Sequence, residues 1–319
     1  MLSCNRGMPK PKPLPEEFTV PFTLARAVDA GLSVARLRAS DLRVPSRSVR
    51  VPKTAPFDLA AGCRPYLEML PDAVLSHGTA ARLHGLALPR RIAEEPLLHI
   101  SRSPAYAPSR RRHVSGHRLR LEPDEISYVH GLPVTSVART WLDLAGTLSL
   151  DELVVMADQI VSEHQRSFGA PRRPMVPLDE MRNLVERRSG IPRIRRSRAA
   201  LAHVRVGVDS PPETRLRLML ARHADLPEFV PNVALLDEYG EPQVWTDLGC
   251  QTFRTCLEYD GAHHLTPEQQ ARDHHRDLTT AELGWIQVKI SRADLAHGSD
   301  WVAAKVRRGL KLGGWIPST

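Results

Sequence analysis

The sequence predicts an α/β protein whose last third carries an α-β-β-β-α-β core behind a winged-helix-like and mixed α/β N-terminal region. Three observations carry this. Two runs between Gln243 and Asp260 alternate apolar and polar residues with period two. Helix-opening signatures stand on either side of them, Ser210-Pro211-Pro212-Glu213 and Thr266-Pro267-Glu268-Gln269. A further strand-like run, Trp285 to Ser291, follows the helix-stopping Gly284.

At 319 residues, 42% hydrophobic and 25% charged, the chain is long enough for two or three domains of ordinary globular composition. No apolar run approaches the ~18–20 residues of a membrane span. The N-terminus has lysines and prolines without an apolar stretch and does not read as a secretory signal. Cys4, Cys63, Cys250 and Cys256 form no C-x-x-C pair, which argues against a zinc ribbon or disulfide scaffold and for a reducing cytoplasm. Cys250 and Cys256 read as small core residues.

The net charge of +8 is unevenly spread: from Asp209 onward there are 12 basic and 16 acidic residues, which leaves +12 on residues 1–208. Such a basic region suits a polyanion by releasing its counterions; an arginine-rich proteome is the alternative source.

Taken in order, residues 1–17 read as a disordered lead-in and 18–56 as a winged-helix-like module. Thr23 caps a helix from Leu24 to Ala30, Gly31 ends it, and Ser33 caps a second through Arg38. The basic tail after it forms a wing. A helix-turn-helix would present Arg36 and Arg38 to the major groove, with Arg43 and Arg47 on the wing; an ordinary helical hairpin with surface arginines is the alternative.

Residues 57–163 read as mixed α/β, with helices after Ser76, after Thr135 or Ser136, and over DELVVMADQIVSEH, a strand at LLHIS, and an exposed loop at Arg110-Arg111-Arg112. His77, His84, His99 and His130 lack ligand spacing and read as core or surface histidines. Residues 164–208, rich in arginine and proline, read as a basic linker with short helices.

In residues 209–319 a helix runs from Ser210 to about Ala224, with strands at NVALLD, QVWTDLG and FRTCLEYD. A helix to about Leu283, the strand WIQVKIS and a helix over 294–310 complete the order. A tight turn at Gln251-Thr252 sets Cys250 opposite Phe253 and Asp247 opposite Cys256, with Glu258 a diagonal neighbour at roughly 7–8 Å. Trp245, Asp247, Arg254, Cys256, Glu258 and Asp260 then share one face, and the other is apolar. Clustered carboxylates repel unless a hard cation such as Mg²⁺ neutralises them; solvated acids on an open face are the alternative.

Glu213, Asp247 and the Glu258-Tyr259-Asp260 segment, with SPPETRLRLML, ARDHHRD and GWIQVKIS around them, resemble the PD-(D/E)XK nuclease superfamily. The closest branch looks like the very-short-patch-repair-type endonuclease domains. Ahead of it, SHGTAARLHGL and GLPVTSVARTWLDLA resemble the winged-helix antitoxin-like region of the abortive-infection type IV class. The resemblance implies a restriction-endonuclease-like domain over 209–319 that hydrolyses phosphodiester bonds of double-stranded DNA with Mg²⁺ or Mn²⁺. Asp247 and Glu258 would be its metal ligands, with Asp260 completing the site and His263 or His264 as general base or phosphate contact. Glu213 would be an outer ligand, though a capping box already gives it a reason to be there. Where the superfamily has a lysine two residues past the strand-three acid, this chain has Asp260, so Lys289 on the next strand is the substitute charge. That departure keeps open a non-catalytic DNA-binding regulator or antitoxin on a degenerate nuclease fold.

Overall fold

The computed structural model describes residues 11–164, 171–191, 194–261 and 266–317. The fold is α/β, and the chain divides into two compact units, Met1–Leu144 and Ala145–Thr319. Among the described residues no helix is long and apolar enough to cross a membrane.

The first unit opens with a 3₁₀ turn at Glu16–Phe18, β1 (Phe22–Thr23), α1 (Leu24–Asp29), β2 (Leu42–Arg43) and β3 (Val49–Pro52). The strands pair in the order β1-β3-β2. Thr23 caps α1 by accepting from the Arg26 N–H, and Gly31 ends the turn with φ +83°. The lead-in expected through residue 17 stops short of that: Leu14 packs against a core in which Phe18 and Phe22 are fully buried. The second helix expected through Arg38 is one 3₁₀ turn, Arg36–Arg38. Leu37 alone is buried there, too little apolar surface to hold a longer helix.

The chain continues through α2 (Leu59–Met69), β4 (Val74–Leu75), α3 (His77–Leu83), α4 (Arg90–Ala93), β5 (Leu98–Arg102), β6 (Val114–Arg118), β7 (Ile126–Val129), β8 (Leu132–Thr135) and α5 (Val137–Leu144). Its mixed sheet has the order β6-β5-β4-β8-β7. Val49 of β3 shares a core with α2 and this sheet, so residues 18–56 and 57–144 form one unit rather than two domains.

The second unit contains α6 (Leu150–Val161), α7 (Leu178–Arg187), α8 (Ile194–His203) and α9 (Pro211–Leu220). Helix α6, expected to belong to the domain ending at residue 163, lies in this unit instead. Its Asp158 is buried and accepts from Thr214 Oγ1 and Arg217 Nη2 of α9 at 2.9 and 2.7 Å. The expected linker 164–208 likewise contains two helices whose Met181, Leu184, Ile194 and Ala200 are buried.

The unit continues with β9 (Val230–Pro231), β10 (Ala234–Leu236), β11 (Pro242–Trp245), β12 (Leu248–Cys250), β13 (Thr255–Asp260), α10 (Pro267–Glu282), β14 (Ile286–Ser291), α11 (Arg292–Ala296) and α12 (Ser299–Leu312). Four strands form the sheet β14-β13-β12-β9, with β13 and β14 parallel. Leu248, Leu257, Val288 and Ile290 meet α9 and α12 on its apolar side, and Cys250 joins that core. A Cβ on Gly309 would lie 2.3 Å from Val288 Cγ2, so the absence of a side chain lets α12 settle onto the sheet. The final helix is broken at Gly298, φ +92°, where one was expected over 294–310.

The expected strand QVWTDLG is also broken. β11 pairs with β10 in a separate two-stranded sheet and β12 joins the four-stranded one, with Thr246 and Asp247 at the crossing. The turn after β12 spans four residues, 251–254, so Cys250 faces Thr255 and Gly249 faces Cys256. The shift from the expected register is two places, and an even shift preserves which side chains share a face. Cys256 and Glu258 therefore remain opposite in facing to Leu257, as alternation requires.

Candidate functional site

The polar face of β13 is roofed by α10 rather than open to solvent. Glu258 is only 8% exposed, while Asp247 is half-buried and Asp260 exposed, so the acids are not one uniformly solvated row. Helix α10 brings Arg276 over it: Nη2 donates to Glu258 Oε2 at 2.6 Å and to the Trp245 carbonyl, also at 2.6 Å. The other carboxylate oxygen, Glu258 Oε1, is buried with no hydrogen-bond partner. A buried carboxylate oxygen without a donor is costly unless it stays protonated or meets a cation.

Asp247 sits where the β12–β13 ladder stops, and its Oδ2 accepts the Tyr259 N–H at 2.7 Å. It lies close enough to Glu258 to act on it electrostatically. Burial first, then Asp247, pushes the Glu258 carboxyl well above the ordinary carboxylate range, against the pull of Arg276. Glu213 is raised in the same way, by burial and then by Asp247. Three acids from α9, the β11–β12 crossing and β13 thus share one field.

The capping box expected at Ser210 does not form, because the Ser210 hydroxyl turns to Glu213 rather than to a helix N–H; Glu213 still ties down the start of α9. Its Oε2 accepts the Asp209 N–H at 3.0 Å and its Oε1 accepts the Ser210 hydroxyl at 2.6 Å. It is therefore both the tie at the start of α9 and a contributor of negative potential to Asp247.

Lys289 is directly opposite Glu258 in the parallel β13–β14 register. It donates to Asp277 of α10 and lines a cavity of about 360 Å³ with Glu258, Asp260, Asp273 and Gln287. Arg276 lines this cavity and a second of about 580 Å³ that contains Asp247, Trp245 and His275. The adjacent His274 and His275 face different cavities, as neighbours on a helix should.

The expected three-carboxylate cluster is looser than the sequence implied. Among the described residues Asp247, Glu258 and Asp260 do not form a set of three donors within 4.8 Å of one another; the set that does is His77, His99 and His117. Asp260 ends β13, exposed, while Glu258 is buried one turn of the pleat earlier. Asp247 raises both Glu258 and Glu213, so the acids that act on one another are these three, without Asp260. His263 and His264 lie outside the described residues.

In the first unit Arg36 is committed to Asp41 through two hydrogen bonds of 3.0 and 2.7 Å, with its side chain only 10% exposed. That corrects its expected place on a DNA-facing helix. Arg38, Arg43 and Arg47 are exposed. Arg276 is a site residue that the local pattern does not reveal, because only long-range packing brings its helix across the acid face. No protein family, curated protein or solved structure matches this chain.

Proposed function

We propose that this chain is a metal-dependent DNA endonuclease whose hydrolytic centre is Asp247 and Glu258 on a restriction-endonuclease-like core. The observation that supports this best is Glu258 Oε1, a buried and unpartnered carboxylate oxygen beside a second carboxylate. The donor set is all oxygen, which suits Mg²⁺ or Mn²⁺. Asp247 and Glu258 would hold the ion, which supplies Lewis-acid polarisation of a phosphate oxygen and a more acidic bound water.

The remaining groups of the chain have roles set by charge and position. Lys289, with its side chain 47% exposed in the Glu258 cavity, is placed to meet the negative charge that grows on a phosphate under attack. It takes over from the lysine that Asp260 replaces in the PD-(D/E)XK pattern. Glu213 and Asp247 reinforce one another's negative potential, which favours a cation over an empty site. Arg276 holds Glu258 Oε2 in place and leaves Oε1 for the cation. The +12 balance of residues 1–208 and the exposed Arg38, Arg43 and Arg47 supply backbone affinity for duplex DNA.

One observation favours a second reading. Arg276 already neutralises Glu258 at 2.6 Å without a metal, as a DNA-binding regulator on a retired nuclease core would require. Nicking of supercoiled plasmid by the full chain with Mg²⁺ or Mn²⁺ separates the two. The endonuclease reading expects nicking that Asp247→Ala abolishes. Wild-type protein that binds duplex DNA but never cuts it would overturn that reading in favour of the second.

A further inference from the structure

We propose that His77, His99 and His117 of the first unit bind a divalent transition-metal ion of the zinc class, at a site separate from the carboxylate pair. The three come from α3, β5 and β6, and one ring nitrogen of each lies within 4.8 Å of the others. His99 and His117 are brought side by side by the parallel β5–β6 register, where Ser101 meets His117 and His99 meets Ser115. The sequence hid this because the residues are 22 and 18 positions apart along the chain, with no short-range ligand motif.

The hydrogen bonds fix which ring nitrogens face the cluster. Glu95 Oε2 accepts from His99 Nε2 at 3.1 Å, which turns Nδ1 toward the cluster. Carboxylate backing of this kind is how ligating histidines are ordinarily held. Ser76 Oγ engages His77 Nδ1 at 2.9 Å and leaves Nε2 for a ligand. His99 Nδ1 and His117 Nε2 are 2.9 Å apart, with one proton between them. Two nitrogens on a tetrahedral zinc at ~2.0–2.1 Å stand about 3.3 Å apart, so the pair needs to open by only a few tenths of an ångström. Binding moves the shared proton to Nδ1 of a neutral His117.

Two further observations agree. His77 sits at φ +48°, a left-handed backbone that places its ring over His117 with centroids 3.9 Å apart. Burial and then the neighbouring imidazoles press His77 down to about 3 and His117 to about 4, so both present neutral nitrogens at pH 7. The rings are stacked within 25°, so ligation requires them to fan apart around the ion. An all-imidazole set selects Zn²⁺ and similar ions over Mg²⁺.

The test is a Zn²⁺ titration of the full chain by calorimetry in excess Mg²⁺, followed by histidine-ring nitrogen NMR. One Zn²⁺ per chain should bind, at least tenfold more weakly to His117→Gln and unchanged in Asp247→Ala. In the wild-type spectra the ring nitrogens of His77, His99 and His117 should shift while those of His274 and His275 stay fixed. Unmoved triad resonances in zinc-treated wild type overturn the proposal even if the variant fails to fold. Equal binding by a folded His117→Gln overturns it too.

Discussion

Arg276 donates to one oxygen of Glu258 at 2.6 Å, and the other oxygen of that carboxylate is buried without a partner. The guanidinium therefore half-satisfies a group that the sheet has taken out of water. That asymmetry makes the site responsive to a cation.

Arg276→Ala should leave Glu258 without its positive partner. Removing one member of a buried pair costs about 3–5 kcal/mol; with Arg276 39% exposed, solvent screening reduces this to roughly 1–2 kcal/mol here. Urea denaturation should show the loss in EDTA, and saturating Mg²⁺ should recover part of it. A loss that is the same with and without Mg²⁺ would count against metal binding at Glu258.

Stability of the second unit should fall as pH rises. Both Glu213 and Glu258 have folded-state values raised above their usual 4.5, to about 7 and about 8. The folded chain thus holds protons that the unfolded chain releases, and the associated stability is complete below pH ~4.5 and lost on the way up to about 8. Each group contributes a slope of at most about 1.4 kcal/mol per pH unit. Denaturation curves between pH 5 and 8 should flatten in Glu258→Gln, and a slope unchanged in that variant would place the raised group elsewhere.

Glu258→Gln and Asp247→Ala should each lower divalent-dependent nicking by at least about 100-fold, the usual scale for losing a preorganised electrostatic contact. Glu258→Gln should keep its circular dichroism spectrum, since an amide fills the same volume. Lys289→Ala should reduce turnover while leaving DNA affinity largely intact.

Asp158→Ala should unfold the second unit readily, because it strands Arg217 beneath α6 and removes the acceptor for Thr214 and for the Arg205 N–H. A cost of about 3–5 kcal/mol is expected. Thermal melts in which the variant matches wild type would show that α6 is not integral to this unit.

Replacing Arg38, Arg43 and Arg47 together by alanine should weaken DNA binding evenly across sequences and reduce the salt slope by about one per lost phosphate contact, up to ~3. Arg36→Ala should instead lower stability, because that side chain is tied to Asp41. Electrophoretic shifts at several salt concentrations, with a melt of each variant, distinguish these effects.

Local pattern was enough for the α/β class, for the Thr23 cap of α1, for Glu213 at the start of α9, and for which residues of β13 face away from the core. Each depends on neighbours within a few positions, where capping and period-two alternation operate. Long-range packing decided the rest. It moved α6 into the second unit through Asp158, split one expected strand between two sheets at Thr246-Asp247, and carried α10 across the acids so that Arg276 reaches Glu258. It also gathered His77, His99 and His117 from three separate elements. Those outcomes depend on which faces meet in space. The sequence alone determined that Glu258 is an acid on one strand and Lys289 a base on the next in chain order; only the tertiary structure determined that the two strands pair, and that Glu258 is buried, paired on one side and open on the other.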